Sequence, residues 1–563
     1  MELLIILTAL FCLSVVYGFF ATNKQVKARR TELERQFGQP PKQRADMESV
    51  NAYWVRCAMN HPDASAVDDI TWNDLNMDDV FHRINACQTS VGEEMLYAML
   101  RRCRGVPEDW EAHLKALRRD KDGRLNIQSL LCQMGKAPYS GLSTFLSGVT
   151  LAETPHHYLL TILGTLPLLA LLSMTVIGFS GLLLCLLSAV GNMAYSVYFK
   201  HKTQSSLTGA QYLSRMLWCT GKLCKMTVAG LEGPLGDIRA LHSLFKSVSS
   251  RLSALAAENM SASMADMLDQ YARWFMLMDA RAYAKSAAII SSHKKEASAL
   301  FEKLGQLDVL LSVCSFRKSL GAVCSPVFHD DMQLVMERVG HPLLPRPVEN
   351  SCRIVRGTLI TGSNASGKST FLKAVAVNAL LAQSIHTCCA KSFTMPRAQV
   401  ITSMALRDSV LSGDSYFIAE IKSFLRIMKA SRERPCLCFV DEILRGTNTV
   451  ERIAASAAVL MSLARGKCLC LVASHDIELT RILHAAFDNM HFEETVQENG
   501  AVTFDYLIKE GASHTRNAIL LLAAMGFEKS VTDRAHELVA AFEHTHSWPV
   551  FDKEDGDAPI ALS

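Results

Sequence analysis

The chain of 563 residues contains 17 cysteines but no C-x-x-C pair. Structural zinc sites and secreted disulfide scaffolds both depend on regularly spaced cysteines. The pairs Cys436/Cys438 and Cys468/Cys470 instead alternate within apolar runs, which is typical of small apolar side chains on buried strands. We therefore expect reduced thiols in a cytosolic compartment and no zinc site.

Net charge is also nearly absent, because 58 Lys and Arg face 55 Asp and Glu, which leaves +3. This small basic excess neither indicates nor excludes nucleic-acid binding. Apolar residues make up 49% of the chain and charged residues only 20%, a composition that excludes intrinsic disorder. The length corresponds to roughly three to four domains, and the positive mean hydropathy of +0.14 suggests that part of the sequence faces lipid.

The first apolar run, Leu3–Phe20, is long enough for one membrane span. Its basic residues follow the run, and no small-residue cleavage site ends it, so an uncleaved anchor is favoured over a signal peptide. We predict a transmembrane anchor at 1–22 and a basic, helical juxtamembrane segment at 23–64. The positive charges of this segment are Lys24, Lys27, Arg29, Arg30, Arg35, Lys42 and Arg44.

The second apolar run, Tyr158–Phe199, contains no charged residue. As a single helix it would measure about 63 Å, which is twice the hydrocarbon thickness of a bilayer. It therefore predicts a transmembrane helical hairpin at 156–200 that turns near Gly178–Gly181, with both ends in the cytoplasm. The alternative is a buried hairpin in a large soluble core. Three spans without an intramembrane charge argue against a transporter.

The remaining segments divide by periodicity. Apolar residues recur at helical spacing in 65–155 and again in 201–344, where long helices without strands are expected. From Arg353 onward short β-branched or Cys-rich runs alternate with helical runs, which predicts an α/β domain with a parallel sheet at 345–540. Residues 541–563 form a C-terminal tail.

The chemistry begins with a phosphate-loop motif, G-x-x-x-x-G-K-[ST], between a predicted strand and a predicted helix. Its glycines allow backbone N–H groups to surround phosphates at the helix N-terminus. Lys368 is expected to reach the β- and γ-phosphates, and the Ser369 hydroxyl to hold Mg²⁺. The predicted ATP-binding residues are Gly362, Ser363, Asn364, Ala365, Ser366, Gly367, Lys368, Ser369 and Thr370.

Two later strands end in polar residues. Cys436–Val440 leads into Asp441 and Glu442, which we assign to Mg²⁺ binding and to polarisation of the attacking water. Leu469–Ser474 leads into His475, which in series with these carboxylates indicates a γ-phosphate sensor. Together with Lys368, these residues predict Mg²⁺-dependent hydrolysis of ATP to ADP and phosphate.

At this point the sequence resembles the MutS ATPases of DNA mismatch repair and recombination. Asp441–Thr449 resembles the family's D-E-I-G-R-G-T-S-T segment, Ser412–Glu420 its S-G-x-S-T-F-x-x-E segment, and Ala473–Asp476 its A-T-H-Y. Weaker resemblances upstream are Gln88–Gly92, Leu307–Ser312 and Gly340–Leu344, and another follows in Gly511–Gly526. The resemblance implies a homodimer through the ATPase domain, in which Ser415 contacts the partner's γ-phosphate and Gly446–Thr449 follows the dimer seam.

The departures from the family pattern remove no catalytic atom, although Ser363, Ala365 and Ser366 replace its usual Pro, Met and Gly. The region before residue 65 carries no counterpart of the mismatch-recognition domain, so direct mismatch reading is not expected.

The first hypothesis for the function is a membrane-anchored, dimeric ATPase that clamps DNA or senses its damage. The second is an ATP-gated membrane scaffold that binds protein or lipid. An ATP-binding-cassette exporter is a weaker third, since LSGGQ is absent.

Overall fold

The computed structural model describes residues 27–60, 63, 66–137, 142, 146, 157–245, 273–278, 280, 281, 283, 284, 293–363, 366–404, 416–496, 502–512, 519, 522, 523, 525–545 and 547–549. The chain divides into a helical unit (Met1–Ala66 and Asp79–Leu320) and an α/β unit (Val67–Asp78 and Gly321–Ser563). The anchor predicted at 1–22 lies outside the described residues.

Helices account for most of the chain up to residue 320. They are α1 (27–36), α2 (Met47–Asn60), α3 (Asp69–Asp74), α4 (Met77–Ile84), α5 (Ser90–Arg102), α6 (Trp110–Arg119), α7 (Lys121–Met134), α8 (His157–Ile177), α9 (Phe179–Leu223), α10 (Glu232–Ser243) and α11 (Lys294–Lys318).

A buried carboxylate joins two of these helices. Asp308 of α11 accepts hydrogen bonds from the backbone N–H groups of Gln88 and Thr89 and from the Thr89 hydroxyl, at 2.7–3.1 Å. The contact fixes the N-terminus of α5, where a helix has unpaired N–H groups. Burial raises the pKa of Asp308 to about 6. The two weak upstream resemblances, Gln88–Gly92 and Leu307–Ser312, thus meet in space.

Helix α1 carries part of the predicted basic segment and packs on the helical unit. Phe37, which follows it, is buried beneath the guanidinium of Arg124, 3.7 Å from the ring centre. Three arginines of the predicted basic segment form ion pairs within the unit: Arg30 with Asp122, Arg35 with Glu32 and Arg44 with Asp79. The basic segment is therefore partly neutralised by the protein itself.

Helix α8 and the first half of α9 form an apolar hairpin that turns at Gly178, within the predicted turn. Both helices are long and apolar enough to cross a membrane, over Tyr158–Ile177 and Phe179–Phe199, and only 17% of each apolar window is buried. This exposure is opposite to that of a core helix.

Within the described residues, the α/β unit has twelve strands and five further helices with defined bounds. In chain order these are β1 (Val327–His329), β2 (Leu334–Val339), β3 (Asn350–Ile354), β4 (Gly357–Thr361), α12 (Lys368–Ile385), β5 (Ser392–Pro396), β6 (Gln399–Ser403), α13 (Tyr416–Glu433), β7 (Cys436–Asp441), α14 (Thr449–Ala464), β8 (Cys468–Ala473), α15 (Glu478–Ile482), β9 (Phe487–His491), β10 (Glu494–Val496), β11 (Val502–Phe504), β12 (Lys509–Glu510) and α16 (Lys529–Thr545).

The main sheet has the strand order β12-β9-β4-β8-β7-β6. The four pairings from β9 to β6 are all parallel, and β12 joins the edge antiparallel. Helices cover the sheet, and the alternating cysteines of β7 and β8 lie in its core with Phe424 and Leu460. A smaller sheet has the strand order β1-β5-β2-β3. Three of its four strands come before β4 in the sequence.

The α/β unit differs from the expectation at two places. Residues 201–344 are helical only as far as Lys318, and β1 and β2 follow. These strands are short, so their period-two pattern is weak beside the long helical pattern before them. The unit also takes in α3, whose Asp74 accepts hydrogen bonds from the Thr402 hydroxyl at 2.7 Å and from the Met404 N–H at 2.9 Å.

Candidate functional site

The phosphate loop leaves the buried strand β4 and enters α12, as its sequence predicts. Gly362 has φ +140° and Gly367 has φ +103°, and both lie in the region that favours glycine. A Cβ atom at Gly362 would lie 2.7 Å from the carbonyl oxygen of Phe492. The two glycines are thus needed both for backbone conformation and for space.

Lys368 lies at the start of α12, and its ammonium group points back into the loop. Its Nζ donates to the carbonyl oxygens of Gly362 at 2.7 Å and Ser363 at 2.6 Å. The side chain is buried, and this burial lowers the pKa of Lys368. Ser366 Oγ donates to the Ser363 carbonyl at 2.8 Å, while Asn364 and Ala365 lie outside the described residues.

The strand order brings three chain segments to one edge of the sheet. β8 lies between β4 and β7, so His475 after β8 lies between the phosphate loop and the carboxylates after β7. His475 Nε2 is 3.5 Å from Lys368 Nζ and 3.0 Å from Glu442 Oε1. Asp441 is the last residue of β7. Lys368, His475 and Glu442 thus form a continuous polar cluster.

Glu442 has φ +62°, an uncommon conformation for a residue with a side chain. Its backbone N–H donates to the Ala473 carbonyl at 3.0 Å, which ties the end of β7 to the end of β8. The contact with His475 lowers the pKa of Glu442, and the nearby Arg445, which forms an ion pair with it, acts in the same direction. Glu442 is therefore held as a carboxylate facing cations.

Two supporting contacts were not expected from the sequence. Arg452 of α14 forms a two-pronged ion pair with Asp476, at 2.6 and 3.0 Å, and so fixes the turn that carries His475. Ser363 Oγ donates to Glu494 at 3.0 Å, which ties the phosphate loop to β10. Both partners are distant in sequence, so only the Ser363 and Asp476 ends of these contacts carried a sequence signal.

A cavity of about 470 Å³ adjoins the N-terminus of α12. Ser369, Thr370 and Phe371 line one side of it, and Tyr506 lines another. Tyr506 also has a positive φ, +55°, and approaches Gly367, where a Cβ atom would be 3.1 Å from its ring. His341 faces the same cavity, and burial lowers its pKa to about 4.

The predicted trans-acting residue, Ser415, and the rest of 405–415 lie outside the described residues. Of the following helix, Glu420 is buried and accepts hydrogen bonds from the backbone of Leu444 and Arg445. This contact joins two segments that resemble family motifs. Among the described residues no group of three metal-ligating side chains is arranged to hold a metal ion.

A glycine-rich loop between a buried strand and a helix, with carboxylates at the end of a parallel strand two positions away, defines a P-loop α/β domain. Comparison with known families is more specific, since residues 358–543 match MutS domain V. Residues 358–543 of the α/β unit are therefore a domain of the MutS domain V family.

Three relatives illustrate the match. The DNA mismatch repair protein MutS of Thermus thermophilus is 30% identical over 256 residues, covering 44% of this chain and 31% of the relative. That of Staphylococcus epidermidis is 29% identical over 258 residues (44% and 29%), and MutS protein homolog 4 of Mus musculus is 32% identical over 235 residues (39% and 24%). The chain thus spans about a third or less of the length of these relatives.

Proposed function

We propose that the α/β unit hydrolyses ATP with Mg²⁺. The observation that carries this proposal is the polar cluster of Lys368, His475 and Glu442 beside the N-terminus of α12. Lys368 would leave the loop carbonyls to neutralise the β- and γ-phosphates, since it is the only described cation bonded to the phosphate loop. Glu442 would polarise the attacking water as a general base, and His475 would sense the γ-phosphate.

The donors fit Mg²⁺ rather than a softer metal. Ser369 offers a hydroxyl at the first turn of α12 and Asp441 a carboxylate at the end of β7, and hard oxygen ligands are those that Mg²⁺ prefers. When bound, the ion supplies positive charge that offsets charge developing on the phosphates. Gly362–Gly367, with Asn364 and Ala365, would supply backbone N–H groups, and Thr370 would extend this site along the helix.

The cavity beside α12 suits the nucleoside. Tyr506 presents an aromatic ring beside Gly367, and aromatic rings stack on nucleobases. His341 is neutral at physiological pH because burial lowers its pKa to about 4. An uncharged, partly aromatic wall therefore adjoins the phosphate-binding loop, which is the arrangement that ATP requires.

The ATPase would work as a homodimer in which Ser415 completes the partner's site. Exposed apolar side chains surround this part of the unit. Val450 directly follows Gly446–Thr449 and is 80% exposed, and Ile418 and Leu425 lie exposed on α13. Such a surface is stabilised when a second copy covers it.

The exposed hairpin would anchor this ATPase in a membrane, with the ATPase domain in the cytoplasm. A DNA clamp or damage sensor in repair or recombination is the substrate hypothesis that the relatives' names favour. The ion pairs of Arg30, Arg35 and Arg44 weaken the case for the basic segment as the DNA-binding surface. The same ion pairs also weaken the attraction of the basic segment to anionic lipids, which is the interaction that the membrane-scaffold alternative requires.

The test uses detergent-purified full-length protein, with ATPase rate and filter binding to homoduplex, mismatched and branched DNA at two salt concentrations. Salt-sensitive binding that differs between ADP and ATP, with stimulated hydrolysis, is the expected result. The Lys368→Ala variant is the control and should lose both nucleotide effects. Hydrolysis without binding to any DNA would favour the scaffold, and no hydrolysis would refute the ATPase itself.

A further inference from the structure

One side of the base of the apolar hairpin packs against another part of the helical unit. The described residues between 273 and 284 contact it near Gly164 and Asn192. Asn192 is buried, and its amide donates to the carbonyl oxygens of Leu163 at 2.8 Å and Phe275 at 2.7 Å. A Cβ atom at Gly164 would lie 2.2 Å from the carbonyl oxygen of Met276. On the side that faces these residues the hairpin is therefore packed against protein, while the neighbouring Ile162 and Val190 stay exposed.

The contacting segment is not a regular helix. Its helical turns are interrupted at Met276 and Leu277, where Leu277 has φ +51°. The interruption frees two carbonyl groups, and side chains satisfy both: Asn192 bonds to Phe275, and the Arg281 guanidinium donates to Met276 at 3.4 Å. A charged guanidinium is costly in the hydrocarbon region, and the Arg281 side chain would lie 3.2 Å from a Cβ atom at Gly164.

The hydrocarbon region must therefore begin at, or beyond, the level of Gly164 and Asn192. Aromatic side chains mark the zone below this level, since Tyr158 and Tyr198 are exposed about 9 Å closer to the base of the hairpin. Tyrosines are enriched at headgroup depth. Lys202 lies 6.0 Å from the Tyr198 ring and places positive charge on the same side.

From Gly164 to the tip at Gly178 the hairpin rises about 20 Å. The hydrocarbon core of a bilayer is about 30 Å thick, so the tip falls about 10 Å short of the far headgroups. The tip itself is apolar: Val176 is 85% and Phe179 is 78% exposed. A turn that emerged into water on the far side would be expected to carry polar residues, whereas an apolar turn suits lipid.

We propose that this hairpin is re-entrant: it enters the bilayer from the cytoplasmic side and its tip remains in the hydrocarbon region of the far leaflet. Its occupant is the acyl chains of the bilayer, and residues 273–284 form a collar at the near headgroups. This inference rests on the proposed membrane anchoring and deepens it. It replaces the two crossings expected from the apolar length of Tyr158–Phe199 alone.

The test maps lipid depth on the wild-type full-length protein in liposomes. Phospholipids with a photoactivatable group at the acyl-chain end react near the bilayer midplane, and the adducts are located by mass spectrometry. A re-entrant hairpin should react near Met174 and Leu182, about 15 Å from the collar. A hairpin with two full crossings should react near Leu168 and Ala189, which would overturn the proposal. No adduct anywhere in the hairpin would instead refute its membrane insertion.

A second measurement examines the tip from the far side. Ser180→Cys is placed at the tip, and intact cells are treated with a membrane-impermeant maleimide, with the wild-type chain as the control for its native thiols. We expect no labelling above wild type. Labelling of Ser180→Cys from outside would show that the tip crosses the bilayer and would overturn the re-entrant arrangement.

Discussion

Two carboxylates in this molecule have opposite surroundings. Asp308, in the helical unit, is fully buried, and its described hydrogen-bond partners are two backbone N–H groups and one hydroxyl. Glu442, in the α/β unit, is partly exposed and lies beside His475 and Arg445. The pKa of Asp308 is raised to about 6 by burial, whereas the pKa of Glu442 is lowered by its contact with His475.

The difference separates a carboxylate that holds structure from one that is available for chemistry. A carboxylate that is closed to solvent and bonded to three donors satisfies the start of α5 and can reach no substrate. A carboxylate among cations at the end of a strand stays ionised and accessible, as a general base must. The comparison predicts that the two residues should affect different measurements.

The largest expected effect is a crossed pair of variants. Glu442→Gln should lower kcat by about 10²–10⁴, the range for loss of a general base, with little change in the thermal midpoint. Asp308→Ala should leave kcat of the folded protein unchanged. It should destabilise the helical unit by about 1–3 kcal/mol for each buried donor left unpaired, which lowers the midpoint by several degrees.

Both variants are measured in the same detergent, with kcat at 25 °C and thermal unfolding by circular dichroism. Wild-type hydrolysis by Glu442→Gln would show that the base is assigned to the wrong residue. Asp308→Ala with reduced kcat and an unchanged midpoint would remove the distinction between the two carboxylates.

A smaller effect is expected from the residue that positions His475. Arg452→Ala removes the ion pair with Asp476, so the turn carrying His475 loses its support from α14. We expect kcat to fall about tenfold, corresponding to about 1.4 kcal/mol, while the KM for ATP changes little. Arg452→Lys should restore only part of the rate, because lysine cannot form the two-pronged contact.

The matched control is Arg434→Ala, which removes an ion pair with the adjacent, exposed Glu433. It should leave kcat and KM unchanged. A rise in KM for Arg452→Ala at constant kcat would mean that this ion pair serves ATP binding and not the placement of His475.

Sequence reasoning located the residues that lie next to each other in the chain and grouped Lys368, Glu442 and His475 by function, but it gave no sheet order. The phosphate loop is a local motif, so its strand, glycines and helix were all predictable. That Lys368, His475 and Glu442 converge depends on β8 lying between β4 and β7, an order that spacing does not reveal. The same order brings Arg452 to Asp476, and Tyr506 reaches Gly367 from the segment after β11.

Packing partners were the second gap. Residues 65–155 were expected to belong to one helical region, and their periodicity gives no sign that α3 belongs with the α/β unit. Asp74 pairs there with Thr402 and Met404 at the edge strand β6, which has unpaired backbone groups to satisfy. Hydrophobic periodicity identifies a helix and its buried face, but it leaves the covering element undefined.

The smallest expected effect is the pH dependence of folding stability, which should differ in direction between Asp308 and Glu442. Because folding raises the pKa of Asp308 from 3.8 to about 6, the folded state binds this proton more tightly than the unfolded state. The associated stability is fully present below about pH 3.8 and is lost as pH rises to about 6, after which it stays constant. Glu442 acts in the opposite direction, since its lowered pKa gives stability that is lost as pH falls through that pKa.

Urea midpoints of wild type and Asp308→Asn between pH 4 and 7 measure the contribution of Asp308. The difference between the two proteins should change across this range and level off above pH 6. A difference that is constant from pH 4 to 7 would mean that Asp308 is ionised throughout, held by its three donors as firmly as Glu442 is held by its cations.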